Sequence, residues 1–451
     1  ISDTVSMSAK KPGSWPSATM NSAATSSPTF ITRIRRLTRQ TSRNRSLLAA
    51  LLWCLSAGVA QPDDSPTYLA KANQILDRWA ARKDESTSLL KGEDSEWSIR
   101  TTAAQLYPAL VLTAWFTNQD LFDGLLLETL RDEQRLTTRI SVFPDDYHLS
   151  NQRFVRSTRD PVEILINASA YAGGLARIAS ITGHGAWTNR LQGIVDALFL
   201  RADVVTDYAE GALPSNDLRV TGRILKTLPL LAELFQDEGY LYYARRIGDA
   251  YCVGVMPKNG GLPAERWDFE ADKAKAASLI LNDDGVSFIE GLVALYSAEV
   301  REGSARAGVY RPTLSAMFDV LFQYGLKEDG RFYRRLQPDG RGGYSIDRKR
   351  ESPFTLRILS SAYHYGQLSG NSTYSDRAIA ELSKYRANAD DLGEIPGLLD
   401  AATFSPRAAE LVDSIRERTV DVPLSGSRDE VQDALLLNAL LALNWTESAG
   451  T

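Results

Sequence analysis

The sequence predicts an all-α fold, a closed ring of six helical hairpins, and three observations lead there. From residue 65 onward, apolar residues recur at helical rather than strand spacing. Helix-start signals recur near Ser95, Asp160, Asn216, Asp284, Ser352 and Ser427. Connection lengths then alternate: each of the first five of these helices turns at once into another, whereas the return to the next is long.

The elements follow in order. Ser65-Pro66 opens a helix through about Ala81, and Ser95 opens the next, with Trp97, Ile99, Ala103, Leu106 and Leu110 near one face. Asp160-Pro161-Val162-Glu163 places an acid at the cap, proline at the first helical position and glutamate at the third, which satisfies free amides of the first turn. Asn216 and Ser352-Pro353 supply two more starts, and Ser427-Arg428-Asp429-Glu430 repeats the device. In "LNDDGVSFIEGL" the pair Asp283-Asp284 precedes Gly285 and an apolar run carrying Glu290, so one aspartate is expected to cap that helix. The quick turns are "TNQD", "TGHGA", "QDEG", "REGS" and "SGNST"; the returns span roughly residues 137–159, 202–215, 255–283, 327–351 and 388–426.

Short turns force antiparallel neighbours, so the tight turns gather at one end of the ring and the long returns at the other. Stretches such as "LYPALVLTAWF", "ILINASAYAGGLA" and "ALLLNALLALNW" are apolar nearly all round and belong to an inner ring. "YLAKANQILDRWAARK" carries charge on one face, belongs to the outer ring, and is expected to pair with the last helix. "RFYRRLQPDGRGGYSI" reads as a β-hairpin over the mouth of the ring.

This arrangement resembles the α/α toroid of the six-hairpin glycosidase superfamily and the related polysaccharide lyases, an (α/α)6 toroid. The resemblance covers about residues 65 to 446 and is one of architecture. It implies a carbohydrate substrate and a cleft where the inner helices begin, the same end that the loop lengths select.

Residues 1–60 read as a separate segment: Arg33, Arg35, Arg36, Arg39, Arg43 and Arg45 precede the uncharged run Ser46 to Ala60, too short to span a bilayer, which is the pattern of a secretory signal. Residues 61–451 are then one domain, expected to be periplasmic or secreted and free of the membrane after cleavage. Without residues 1–60 the chain keeps 43 bases against 55 acids, a net charge of −12, which argues against nucleic acid as a partner. Cys252 is then the one cysteine, and His148, His184 and His364 have no paired spacing, so neither a metal site nor a cofactor is expected.

Glycoside hydrolysis needs two carboxyl groups flanking the bond. Asp284 or Asp283 with Asp217, one step into its helix, are the leading acid and base; each also reads as a helix-start residue. Glu290, two turns beyond Asp283, is expected deep in the ring, with its pKa raised by burial unless a base pairs with it. Glu351 and Asp160 explain themselves as helix-start residues. Arginines gather at the same end, including Arg159, Arg219, Arg223 and Arg348, although cations at helix N-termini oppose the dipole. They either pair with nearby acids or, as Arg219, Arg159 and Arg348, grip an acidic group on a sugar. Trp97, Trp267 and Tyr344 are candidates for stacking on sugar rings or for plain core. His148 in "PDDYHLSNQRF" belongs to a mouth loop and can move a proton, whereas His364 falls near the far end of its helix and reads as core.

An exported glycoside hydrolase acting on a uronate-containing or sulfated glycan is therefore the leading expectation. A polysaccharide lyase with a Tyr or His base and neutralising arginines is one alternative, and a noncatalytic ring that binds glycan or protein is another. Terpenoid cyclases are also helical rings, but "DDYH" and "NADDLGE" lack the surrounding repeats of that fold.

Overall fold

The computed structural model describes residues 67–157, 159–386, 392–422 and 429–450. The secretory-signal reading, Ser65-Pro66 and Ser427 lie outside the described residues. Among the described residues, fourteen helical segments make up the ring. They are α1 (Thr67–Ala80), α2 (Ile99–Leu106 running into Tyr107–Thr117), α3 (Gln119–Leu121 through Leu127–Leu136), α4 (Pro161–Thr182) and α5 (Gly185–Leu200). Next come α6 (Leu218–Phe235), α7 (Gly239–Asp249 through Met256–Lys258), α8 (Asp283–Arg301), α9 (Ala305–Val320 through Leu321–Gly325) and α10 (Thr355–Ser369). The last are α11 (Ser372–Lys384), α12 (Ile395–Ala402), α13 (Pro406–Asp421) and α14 (Glu430–Gly450).

Packing follows a circular order. α2 packs on α4, α4 on α6, α6 on α8, α8 on α10, α10 on α12, α12 on α14, and α14 back on α2. These are the inner helices, and the six expected inner helices are all among them. α1 packs on α14, as expected. The return read as residues 388–426 is the exception, because it folds into the hairpin α12–α13, and α12 wedges between α10 and α14.

All five expected tight turns form. Gly183 and Gly370 end α4 and α10 in the left-handed conformation, a backbone geometry that glycine adopts without steric cost. The starts differ from the sequence reading in instructive ways. Asp160 caps α4 as expected, accepting from the Val162 amide. At α2 the cap is Ser98 rather than Ser95, because Glu96–Trp97 (β1) is drawn into a sheet with Tyr147–His148 (β4). At α8 the cap is Asn282, which accepts from the Gly285 amide at 3.1 Å, so Asp283 and Asp284 fall inside the first turn and neither caps. α10 has no side-chain cap of its own; Glu394, arriving from the next connection, accepts from the amides of Thr355 and Leu356.

The long returns meet at one end through small sheets. β1 pairs with β4, and β4 with Arg153–Phe154 (β5). Thr138–Ile140 (β2) pairs with Phe143–Pro144 (β3), and Arg266–Asp268 (β6) with Lys273–Ala276 (β7). The predicted hairpin is present as Arg335–Pro338 (β9) and Tyr344–Ile346 (β10), and β9 also pairs with Leu279–Ile280 (β8) from the preceding return. A bridge between Asp217 and Arg266 ties two further returns together. Strands from different returns can pair only if those returns share one end of the ring, so the mouth lies where the inner helices begin.

Candidate active site at the long-loop end of the ring

The first turns of the inner helices carry charge into the ring. α6 presents Arg219, Arg223 and Lys226 at spacings of four and three, which keeps them on one face. α8 presents Asp283 and Glu290 at the matching two-turn spacing, and α10 presents Arg357. The two central helices approach closely because of glycine. A Cβ at Gly222 would stand 2.6 Å from the Asp284 carbonyl oxygen, and one at Gly291 would stand 2.7 Å from the Lys226 nitrogen.

The charges of α6, α8 and α10 are joined by ion pairs. The Arg357 guanidinium holds Glu290 at 2.6 Å and Asp283 at 2.7 Å. Arg223 holds Asp283 at 3.0 Å and Asp284 at 2.5 Å. Lys226 reaches Glu290 at 2.6 Å. Toward α4 a second group forms, in which Arg219 pairs with Asp217 at 2.8 Å and Glu163 at 3.6 Å, and Arg100 on α2 pairs with Glu163 at 2.7 Å.

The site is enclosed yet wet. Asp283 keeps 39% of its side-chain surface exposed while flanked by Arg223 and Arg357. Burial alone would raise the Asp283 carboxyl, but the attraction of Arg223 and Arg357 outweighs it and holds the group far below the usual carboxylate range. Glu290 shows the same contest. Burial pushes it up, while Arg357 and Lys226 bring it down to about 2, so the base that the sequence reading left open is present twice over.

Asp217 has a different place. It is 1% exposed, caps α6 by accepting from the Arg219 amide at 3.0 Å, and binds Arg219 and Arg266. Burial favours its neutral form, yet the hydrogen bonds from Arg219 keep its carboxyl below the usual range. It is thus an ionised anchor for two arginines with no proton to give.

The remaining candidates divide between mouth and core. Arg159 is held by Asp145 at 3.1 Å and Asp146 at 2.6 Å. Arg348 lies in an exposed turn between β10 and α10. Trp97 and Trp267 are 0% and 2% exposed, so both are core side chains in this structure and offer no free face to a sugar. Tyr344 packs against Tyr324 and donates to the Gly260 carbonyl at the rim. His364 pairs with Asp400 of α12 at 3.1 Å near the tight-turn end. His148 stands opposite Glu96 in the β1–β4 pair, and its Nδ1 is buried without a hydrogen-bond partner.

Glu96 was not singled out in the sequence. Burial pushes its carboxyl above the usual range; His148 opposes that rise, and Asp146, Asp94 and Glu430 add to it. Arg357 and Lys226 were missed as well. Both carried the signal already read in Arg219 and Arg223, a base in the opening turns of an inner helix. Among the described residues, no cluster of His, Cys, Asp and Glu could hold a metal ion.

No protein-family model and no curated protein matches this chain. Solved structures do resemble it. The cellobiose 2-epimerase from Spirochaeta thermophila DSM 6192 is 12% identical, with 86% of this chain and 100% of that one covered and a TM-score of 0.49. A D-mannose isomerase is 10% identical over 86% and 100%, with a TM-score of 0.49. The GH76A α-1,6-mannanase from Salegentibacter sp. HEL1_6 is 10% identical over 84% and 99%, with a TM-score of 0.46. The fold is an α/α toroid. Its own helix order establishes this, and in the toroid the charged network occupies the end where the inner helices begin.

Proposed function

We propose that this toroid is a carbohydrate-active enzyme, a glycoside hydrolase whose saccharide enters at the long-loop mouth. The observation that carries the reading is Asp283, an ionised carboxylate open to solvent and fixed between Arg223 and Arg357. Hydrolysis by two carboxyl groups needs one ionised and one protonated partner, with environments that push their pKa values apart. Asp283 supplies the first kind. Glu96, on the strand leading into α2, has its carboxyl raised by burial and by the acids Asp146, Asp94 and Glu430, and we assign it the second role on that direction alone. Asp145 is also raised, but at 1% exposure it is closed to a substrate.

The network favours a hydroxyl-rich sugar at the mouth over a polyanion. Six cations (Arg100, Arg219, Arg223, Lys226, Arg266, Arg357) meet five carboxylates (Glu163, Asp217, Asp283, Asp284, Glu290). Such an array alternates donors and acceptors, which suits hydroxyl groups. Arg219 and Arg159, expected to grip an acidic group, are already held by acids of the protein.

Purified protein incubated with neutral, uronate-containing and sulfated glycans should release reducing ends from one of them. Asp283→Asn and Glu96→Gln should each cut that release about 100-fold or more. Ultraviolet absorbance from unsaturated ends would replace this reading with the lyase, and binding without turnover on every glycan would replace it with a noncatalytic ring. Unchanged rates in both variants would remove these two residues from the chemistry.

A further inference from the structure

One inner-helix arginine breaks the pairing seen in the others. Arg100, Arg219, Arg223, Arg301 and Arg357 each face a carboxylate. Arg177 of α4 faces none among the described residues. It lies five residues before the helix ends at Thr182 and fourteen residues beyond Glu163, about 21 Å along the axis. Its Nη1 donates to Oδ1 of Asn438 on α14. In the ring α2 stands between α4 and α14 and packs on both, so this hydrogen bond is a chord across the inside of the ring and not a contact between neighbours.

An amide oxygen carries no charge and occupies one of the five N–H donors of a guanidinium. Burial pushes Arg177 down to about 10, and no acid opposes that fall. Toward the same end, Asp400 is held by His364. There is also room, because a Cβ added at Gly173, one turn before Arg177 on the same face, would meet nothing within 4 Å. The guanidinium is half-buried, with no counter-charge among the described residues, and its free donors have the fork geometry that fits an oxyanion.

We propose that Arg177 and Asn438 form an anion-binding position inside the ring, separate from the charged network at the mouth, which takes a carboxylate, sulfate or phosphate group. The anion is either a free inorganic ion or the acidic group of a sugar. The test follows the unfolding midpoint of the whole chain in sulfate, phosphate, glucuronate and glucose, each against chloride at matched ionic strength. A ligand that binds only the folded state raises the midpoint saturably.

Wild type should respond to at least one oxyanion beyond chloride. A response to sulfate or phosphate alone identifies a free ion, and glucuronate exceeding glucose identifies a sugar acid. Arg177→Met should lose the response, with affinity falling about tenfold or more. Asn438→Asp gives the guanidinium a carboxylate of its own; it should raise the midpoint without anion and abolish the response, and it decides the matter if Arg177→Met fails to fold. A wild-type response equal to that in chloride, or an anion response retained in either variant, overturns the proposal. Neither result depends on glycan turnover, so this inference and the hydrolase reading fail independently.

Discussion

Arg357 grips Glu290 with a forked pair of hydrogen bonds, Nε to Oε1 at 2.8 Å and Nη2 to Oε2 at 2.6 Å, and turns its Nη1 to Asp283 at 2.7 Å. One side chain from α10 thereby fixes two carboxylates of α8. Removing it as Arg357→Met should destabilise the protein by about 2 to 4 kcal/mol, somewhat less than a fully buried pair because both groups are partly wet. The pH dependence has a definite sign. Glu290 is lowered from 4.5 to about 2, so the unfolded chain takes up a proton that the folded chain refuses across that window. Its stabilisation is complete above about pH 4.5 and is lost as pH falls toward 2. Thermal unfolding followed from pH 2 to 7 should show a shallower acid limb in the variant. An identical limb would mean that Arg357 is not what depresses Glu290.

The glycines between α6 and α8 offer a test that joins fold to site. A Cβ at residue 291 meets backbone and side-chain atoms of Lys226 and Leu225 within 3 Å, and the backbone of an adjacent helix cannot yield as a side chain can. Gly291→Ala should therefore push the two helices apart and cost about 1 to 3 kcal/mol. Arg223 would be drawn away from Asp283 and Asp284. Denaturant unfolding should register the loss, and glycan turnover should fall with it. Gly173→Ala, on a helix face with open space, serves as the control: it should gain about 0.5 to 1 kcal/mol from helix propensity and leave turnover unchanged.

Asp217 separates capping from charge. Asp217→Asn keeps a good cap for α6 but gives up the ion pairs with Arg219 and Arg266. We expect KM to rise as Arg219 loosens, with kcat within about tenfold of wild type, whereas a catalytic carboxylate would cost about 100-fold or more. Steady-state kinetics on the substrate identified by the glycan panel distinguishes the two.

Much of the fold was legible because it rests on local chemistry. Asp160-Pro161 announces α4, and the turn sequences around Gly183 and Gly370 announce the hairpins, since these signals act within one helical turn. Hairpin α12–α13 was legible by the same rules: Ser405 caps α13 and Pro406 takes its first turn. It was hidden by reading residues 388–426 as a single return. The shift from Asp284 to Asn282 at the start of α8 is of another kind. Three adjacent residues can each cap, and the choice was made at a distance, by Arg223 and Arg357 drawing the two aspartates into the ring.

The site was half legible for a related reason. Arginine at a helix N-terminus is a visible anomaly, so Arg219 and Arg223 stood out, but which acid each one meets depends on the ring order. Glu96 carries no sequence signal at all. Its raised carboxyl arises from burial and from acids brought beside it by β1, β4 and the start of α14, which no local pattern records.

A last prediction concerns a charge pair far from water. Arg190 of α5 donates from Nη2 and Nε to the two carboxylate oxygens of Glu133 on α3, at 2.8 and 3.1 Å, with side-chain exposures of 3% and 0%. Tyr171 of α4 and Thr137 fill the remaining acceptor positions at 3.2 and 3.0 Å. Arg190 also donates to the Val142 carbonyl at 2.7 Å, tying the return after α3 to the pair. Deleting one partner leaves a buried charge with no counterpart, so Arg190→Met should cost about 3 to 5 kcal/mol. Replacing both, as Arg190→Met with Glu133→Leu, removes the uncompensated charge and should recover much of that loss. Urea unfolding of the two single variants and the double variant measures the coupling. If the double variant is as unstable as the sum of the singles, the pair is not coupled, and the value of Arg190 lies in its bond to Val142 instead.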